Sequence, residues 1–158
     1  MDIFDEQLLN LWKTLNSNDV KYIMVGGFAT VLHGFSRNTN DIDLWLDDTK
    51  TNRKNLRKTF SELGYGDYES IETMDFVPGW TTFYAAGVVL DIMTKMKGLE
   101  NLSFDSCFKS ASMADVEGVR IPFLHINHLI ENKKAVNRPK DQIDVQELEK
   151  IKNIKKGK

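Results

Sequence analysis

The sequence predicts an α+β fold, a mixed β-sheet flanked by helices, with C-terminal helices closing the site. Three observations predict it. Apolar residues recur with a helical period in some segments and with a period of two in others. The later strands are joined by tight turns at Ala86-Gly87 and Glu117-Gly118, which makes antiparallel hairpins and argues against a doubly wound parallel sheet. The chain has 158 residues, the size of one domain, which we read as spanning 1–158 with a helical portion over about 125–154.

The elements follow in order. Phe4, Leu8, Leu11, Trp12 and Leu15 fall on one face of a helix over 3–16, stopped by Asn16-Ser17-Asn18-Asp19. Val20 to Val25 reads as a short buried strand, broken by Gly26-Gly27. Phe28 to His33 reads as a helix ending at Gly34. Asp41 to Leu46 alternates polar and apolar, as a half-buried strand does. Asp47-Asp48-Thr49 caps a helix running through Leu56 and Phe60 to Gly64. The stretch Tyr65 to Thr82 carries no readable pattern. Strands follow at Thr81–Ala86 and Val88–Thr94, then a short helix over Phe104–Ser112. A hairpin of Met113–Val116 and Val119–Phe123 comes next. Helices over His125–Val136 and Lys140–Ile154 finish the chain, divided by Pro139.

Composition narrows the function. Net charge is −2 and the sequence pI near 5.9, which argues against coating nucleic acid through bulk charge. No apolar stretch approaches the roughly 18 residues of a membrane span. The acidic N-terminus lacks the pattern of a signal peptide, and the single cysteine, Cys107, has no internal partner; both predict a cytoplasmic protein. The charge is uneven: Met1–Asp48 holds eight carboxylates against three basic residues, and Lys133–Lys158 nine basic residues against four carboxylates. That split suits a site with metal on one side and a polyanion on the other; for the last nine residues a solvated basic helix is the favoured reading.

The informative stretch is Val25-Gly26-Gly27-Phe28-Ala29 followed by Ser36-Arg37-Asn38-Thr39-Asn40-Asp41-Ile42-Asp43-Leu44. Two glycines between a strand and a helix expose backbone N–H groups at the positive end of the helix, which cradles phosphate; glycine is also simply the residue of tight turns. Asp41 and Asp43, at i and i+2 of a strand, face the same way about 6.6–6.8 Å apart. Two such carboxylates repel unless a cation sits between them, and hard oxygen ligands suit Mg2+. A solvated polar strand face is the other reading. Asp91, inside Val88-Val89-Leu90-Asp91-Ile92-Met93, is a carboxylate in an apolar strand, costly unless paired, protonated or metal-bound. If its strand lies beside Asp41–Leu46, three carboxylates meet as in a two-metal site with ions about 3.5–4 Å apart.

These residues resemble the nucleotidyltransferase superfamily of the DNA polymerase beta type, with its apolar-Gly-Gly/Ser turn, Asp-x-Asp a dozen or so residues later and a third acid on a later strand. Gly26-Gly27-Phe28-Ala29, His33-Gly34 and Arg37-x-Thr39-x-Asp41-Ile42-Asp43 are similar to a small bacterial branch that includes toxins of abortive-infection type toxin–antitoxin pairs. Leu129-Ile130-x-x-Lys133-x-Ala135-x-x-Arg138-Pro139-Lys140-Asp141-x-x-Asp144 is similar to that branch's basic motifs. The resemblance implies a nucleotidyltransferase fold and transfer of a nucleoside monophosphate from an NTP to a hydroxyl, with release of pyrophosphate. Asp41 and Asp43 would ligate Mg2+, and Asp91 a second ion while acting as base; Mn2+ would substitute. Gly26 and Gly27 would bind the triphosphate through backbone N–H groups, Arg37 and Thr39 its oxygens. Lys133, Arg138 and Lys140 would neutralise it, with Asp141 orienting one of them, although a solvated helix face explains these last four equally. The implied acceptor is RNA, such as a tRNA end, or protein, and a cognate antitoxin would be a partner.

Two other functions fit the same residues. One is a small-molecule nucleotidyltransferase like those acting on lincosamide or aminoglycoside antibiotics; the other is a non-catalytic module binding nucleotide or a partner protein. His125 and His128 lack further ligands at zinc spacing. Cys107, between Phe104 and Phe108, reads as core. Trp80, Phe83 and Tyr84 read as core packing, with base stacking as the alternative.

Overall fold

The structure, a computed structural model, describes Asp2 and residues 5–156. Phe4, expected at the head of the first helix, lies outside the described residues.

Helix α1 (Glu6–Ser17) starts where the Asp5 carboxylate accepts from the N–H groups of Gln7 and Leu8, and it buries Leu8, Leu11, Trp12 and Leu15. Strand β1 (Tyr22–Val25) is wholly buried, and Tyr22 stacks on Trp12 with ring centroids 5.8 Å apart. Helix α2 (Gly26–His33) follows with no intervening loop and ends at Gly34 in the left-handed region. Strand β2 (Asp41–Leu46) leads to Thr49, whose hydroxyl caps helix α3 (Lys50–Glu62). A short 3-10 helix occupies Glu69–Glu72. Strands β3 (Thr82–Ala85) and β4 (Val88–Met93) form the first hairpin. Helix α4 (Phe104–Ser110), the hairpin of β5 (Ser112–Val116) and β6 (Val119–Phe123), and helices α5 (Ile126–Val136) and α6 (Pro139–Lys156) complete the chain.

The six strands form one mixed sheet in the order β3-β4-β2-β1-β6-β5. Strands β2 and β4 run parallel, as do β1 and β6; β1 and β2, and both hairpins, run antiparallel. At both hairpin turns the two central residues have positive φ, Ala86 and Gly87 in one and Glu117 and Gly118 in the other. That twist matches the strands it joins. Helix α3 is locked to the sheet by Asn52, whose amide donates to the carbonyls of Lys21 and Asp47 and accepts from the Lys21 N–H. Arg53 pairs with Asp48 and lies 4.7 Å over the Phe76 ring, anchoring the segment that sequence patterning left unread. Cys107 is buried, as expected.

One expectation is overturned. Only Phe83 of the three aromatic residues before β4 packs inward, against Phe60 and Tyr68. Trp80 is 84% and Tyr84 88% exposed. Strand β3 is an edge strand with one face to solvent, so alternation sends Phe83 in and Tyr84 out. Among the described residues no helix is long and apolar enough to cross a membrane.

Candidate active site

A cavity of about 540 Å³ opens over the end of the sheet where β1 passes into α2. It is lined by Gly26, Gly27, Arg37, Thr39, Asp41, Asp43 and Asp91, and by Lys133, Arg138 and Lys140 from the C-terminal helices. The sequence thus nominated ten residues scattered over more than a hundred positions, and all ten meet in one place.

Strand register does the assembling. Val25 lies opposite Asp43, Asp43 opposite Asp91, and Asp91 opposite Thr82, in one row across four strands. In-register neighbours share a face of the sheet, so Asp43 and Asp91 stand abreast at the spacing of adjacent strands, about 4.8 Å. Asp41 lies two residues before Asp43 on the same face, opposite Val89. Among the described residues none of the three carboxylates makes an ion pair. Burial pushes the Asp43 carboxyl up to about 6, helped by the charges of Asp91 and Asp41; Lys133 and Lys140 pull the other way. Asp91 is raised as well, by burial first and by Asp41, against a backbone hydrogen bond that lowers it. That bond comes from Gly79, whose N–H donates to Asp91 Oδ2 at 2.8 Å. Asp91 Oδ1 is buried and has no partner.

The three side chains do not close into a cage. Among the described residues no three carboxylate, imidazole or thiol groups stand close enough to make a ready metal site. Asp91 is drawn toward Gly79, and Asp43 lies against Gly26. The residues nevertheless fit a hard divalent cation. A buried carboxylate oxygen lacks a partner, the neighbouring acids repel, and oxygen is the donor such a cation takes.

On the other side of the row lies the glycine turn. Gly26 has φ +71°, and a Cβ there would stand 2.0 Å from Asp43 Oδ2. A Cβ on Gly27 would stand 2.4 Å from Arg37 Nη2. Both glycines are needed because charged side chains press against the turn from either side. Arg37 is held by Asp144, Nη1 to Oδ1 at 2.9 Å, while its buried Nε has no partner. The Thr39 hydroxyl donates to the Asp41 carbonyl at 3.3 Å, tying the approach to β2.

The C-terminal helices supply a chain of charges. Asp144 bridges Arg37 and Lys133, the latter at 2.7 Å. Asp141 takes Lys133 at 3.7 Å and Arg138 Nε at 2.7 Å. Burial pushes the Asp141 carboxyl up, but the hydrogen bonds from Arg138 outweigh it and hold it low. Lys133 is only 4% exposed. Lys133 is engaged by two carboxylates and acts on Asp43 as a field. Lys140 is exposed and, among the described residues, has no carboxylate partner. Asp141 pairs with both Lys133 and Arg138, where one partner was expected. Asp144 and Gly79 are the residues whose parts sequence reasoning missed. The i, i+3 spacing of Asp141 and Asp144 on one helix was the available signal for the first. Gly79 had none.

The structure also bears on the histidines. The rings of His125 and His128 lie 5.8 Å apart, and the His125 Nδ1 accepts from the Asn127 N–H as the cap of α5.

Solved structures share this architecture. A Thermotoga maritima protein assigned as a nucleotidyltransferase has 18% identity, with a TM-score of 0.56 over 94% of this chain and 88% of that one. A lincosamide antibiotic adenylyltransferase solved with lincomycin bound has 16% identity, with a TM-score of 0.59 over 93% and 97%. ANT(2″)-Ia, solved with adenylyl-2″-tobramycin, has 17% identity, with a TM-score of 0.56 over 94% and 92%. At such identities the likeness establishes the nucleotidyltransferase fold. No curated protein sequence matches the chain. The family model for the nucleotidyltransferases of unknown function (DUF6036) matches residues 2–157, so the chain belongs to that family.

Proposed function

We propose that this protein is a Mg2+-dependent enzyme that moves a nucleoside monophosphate from a nucleoside triphosphate to a hydroxyl acceptor and releases pyrophosphate. One observation carries the reading. Two of the pocket's charged side chains each leave a buried atom unpartnered, Asp91 Oδ1 and Arg37 Nε. They are of opposite charge, so the pocket lacks both a cation and an anion, which a metal-bound triphosphate supplies together.

The division of labour follows the row across the sheet. The N–H groups of the Gly26-Gly27 turn, at the head of α2, cradle the triphosphate. Arg37, held by Asp144, turns its free Nε to a phosphate oxygen, and Lys140 reaches the β- and γ-phosphates from the rim. Lys133 and Arg138 add a fixed positive field, with Asp141 and Asp144 holding them in place. Asp41, Asp43 and Asp91 would hold the metal, which when bound would neutralise the triphosphate and polarise the reacting oxygens. Asp91 would also accept the proton of the acceptor hydroxyl. The acceptor oxygen then forms its bond to the α-phosphorus, the bond from that phosphorus to the bridging oxygen breaks, and pyrophosphate leaves.

We read the whole chain, 1–158, as one catalytic domain acting in the bacterial cytoplasm on a macromolecular hydroxyl in RNA or protein. The toxin role implied by the abortive-infection resemblance, with its antitoxin partner, is carried by that reading. Growth arrest on expression, relieved by Asp41→Ala, would support it, and equal growth would remove it. A small-molecule acceptor is the second reading. It is favoured by the likeness in fold to adenylyltransferases solved with lincomycin and adenylyl-tobramycin. Incubating the protein with Mg2+, each α-labelled NTP and a pool of RNA, protein and small hydroxyl compounds separates these. Label in a macromolecular fraction, absent with Asp41→Ala/Asp43→Ala, is expected. Label in the small fraction would establish the second reading. Mg2+-dependent nucleotide binding without transfer to any acceptor would leave a binding module.

A further inference from the structure

The row Val25–Asp43–Asp91–Thr82 orders the site from one side to the other. The phosphate cradle follows Val25, the metal acids occupy the middle, and the base is Asp91. On the nucleotidyl-transfer reading, the acceptor hydroxyl would reach Asp91 from beyond it, away from the nucleotide. What lies beyond is β3, the edge of the sheet. Thr82 lines the cavity there, and on either side of it stand the two most exposed aromatic rings among the described residues, Trp80 and Tyr84. Tyr84 shares the face of Thr82 and Asp91 by strand alternation. Trp80 follows Gly79, whose N–H is bonded to Asp91 itself, so its backbone is tied to the base.

Exposed aromatic faces beside a cavity are free to stack on a planar ligand. Resting on the nucleotidyl-transfer reading, we propose that Trp80 and Tyr84 are the acceptor-docking surface and that the acceptor is the 3′ end of a single-stranded polynucleotide, its bases stacked on these rings. Two features select that occupant. The rings are 84% and 88% exposed on an open edge, so they enclose nothing, whereas a small-molecule site surrounds most of its ligand. The cavity wall next to Gly79 and Thr82 carries positive charge. Lys95 and Lys97 stand on the loop after β4, on the side of the cavity where Gly79, the neighbour of Trp80, and Thr82 also line it. Both lysines are exposed, line the same cavity, and have no carboxylate partner among the described residues. Stacking rings beside basic side chains bind single strands through bases and phosphates without reading sequence. The net charge of −2 opposes wrapping a long polyanion; it does not oppose holding one end.

The test is fluorescence anisotropy of short 5′-labelled single-stranded RNA and DNA of mixed sequence, with the full chain in EDTA. Binding is expected to fall roughly tenfold or more in Trp80→Ala and in Tyr84→Ala. Both rings are exposed, so the thermal melts of the variants should match the parent. Binding should weaken with salt, and the slope should fall by about 0.7 for each of Lys95→Gln and Lys97→Gln. Trp12 and Trp45 are buried, so quenching of exposed-tryptophan emission by the oligonucleotide reports Trp80 alone. The proposal is overturned if both aromatic variants bind as the parent does. It is overturned too if neither oligonucleotide binds while Mg2+–NTP does, or if sedimentation finds a dimer that Trp80→Ala dissolves. If Mg2+–NTP itself fails to bind, the nucleotidyl-transfer reading falls, independently of this one.

Discussion

Asp43→Asn should stabilise the metal-free protein above neutral pH, although it removes a charge from the centre of the site. The folded Asp43 carboxyl is held up to about 6, against an ordinary 3.8, by burial and by the charges of Asp91 and Asp41. A pKa raised by folding favours the protonated form in the folded state. Its contribution to stability is therefore complete below about pH 4 and is lost as pH rises through about 6. The shift of about two units corresponds to ~3 kcal/mol as an upper figure. Relaxation of the half-buried side chain trims this to ~2 kcal/mol. For a chain of this length that is roughly 4–8 °C in Tm. Thermal melts by circular dichroism, in EDTA from pH 4 to pH 8, should find parent and Asn variant together at the acid end. The variant should lead by that margin at the alkaline end. Adding Mg2+ should raise the parent's Tm and close the gap, because a cation between the carboxylates relieves what the substitution relieves. An Asn variant no more stable than the parent at pH 8 in EDTA would refute the reasoning that Asp43 is a strained acid awaiting a cation.

Three further outcomes are expected. Gly26→Ala places a Cβ 2.0 Å from the Asp43 carboxylate at φ +71°, so it should abolish NTP binding and cost more than the ~1–2 kcal/mol of left-handed strain alone; Gly64→Ala, at φ +78° with nothing near, should cost only the strain, both read by urea melts. Lys133→Met strips Asp141 and Asp144 of a buried partner and should cost ~3–5 kcal/mol, whereas Lys140→Met should leave the melt unchanged and weaken NTP binding in a titration. Asn52→Ala breaks three hydrogen bonds between α3 and the sheet and should lower stability by ~2–3 kcal/mol in urea melts without changing the metal dependence of the site.

The elements were legible in the sequence because local chemistry marks their ends. Thr49 and Gly34 cap helices, and Ala86-Gly87 and Glu117-Gly118 close hairpins at about the residues their types suggest; the Asp5 cap, which starts α1 at Glu6 and not at residue 3, was not read. The site was legible because Asp-x-Asp and Gly-Gly place their groups through backbone periodicity, which needs no tertiary knowledge. What escaped depends on partners far apart in sequence. Lys133 looks the same in sequence whether it faces phosphate or Asp144; only the packing of α5 on α6 decides. Trp80 and Tyr84 look like core by hydrophobicity; Tyr84 is exposed on the outer face of the edge strand β3, and Trp80 in the turn before it. The helix α2 begins at Gly26, two residues before Phe28, because positive φ at Gly26 turns the chain straight out of β1. Gly79 reaches Asp91 across a hairpin, a contact that no local pattern encodes.

The most direct measurement follows pyrophosphate and label together. The protein is supplied with Mg2+, the α-labelled NTP that binds and the fraction that accepts label. The account predicts one pyrophosphate for each labelled nucleotide retained by the acceptor, and neither product with Asp41→Ala/Asp43→Ala. Release of inorganic phosphate in place of pyrophosphate, or the same yield from the double variant, would contradict it.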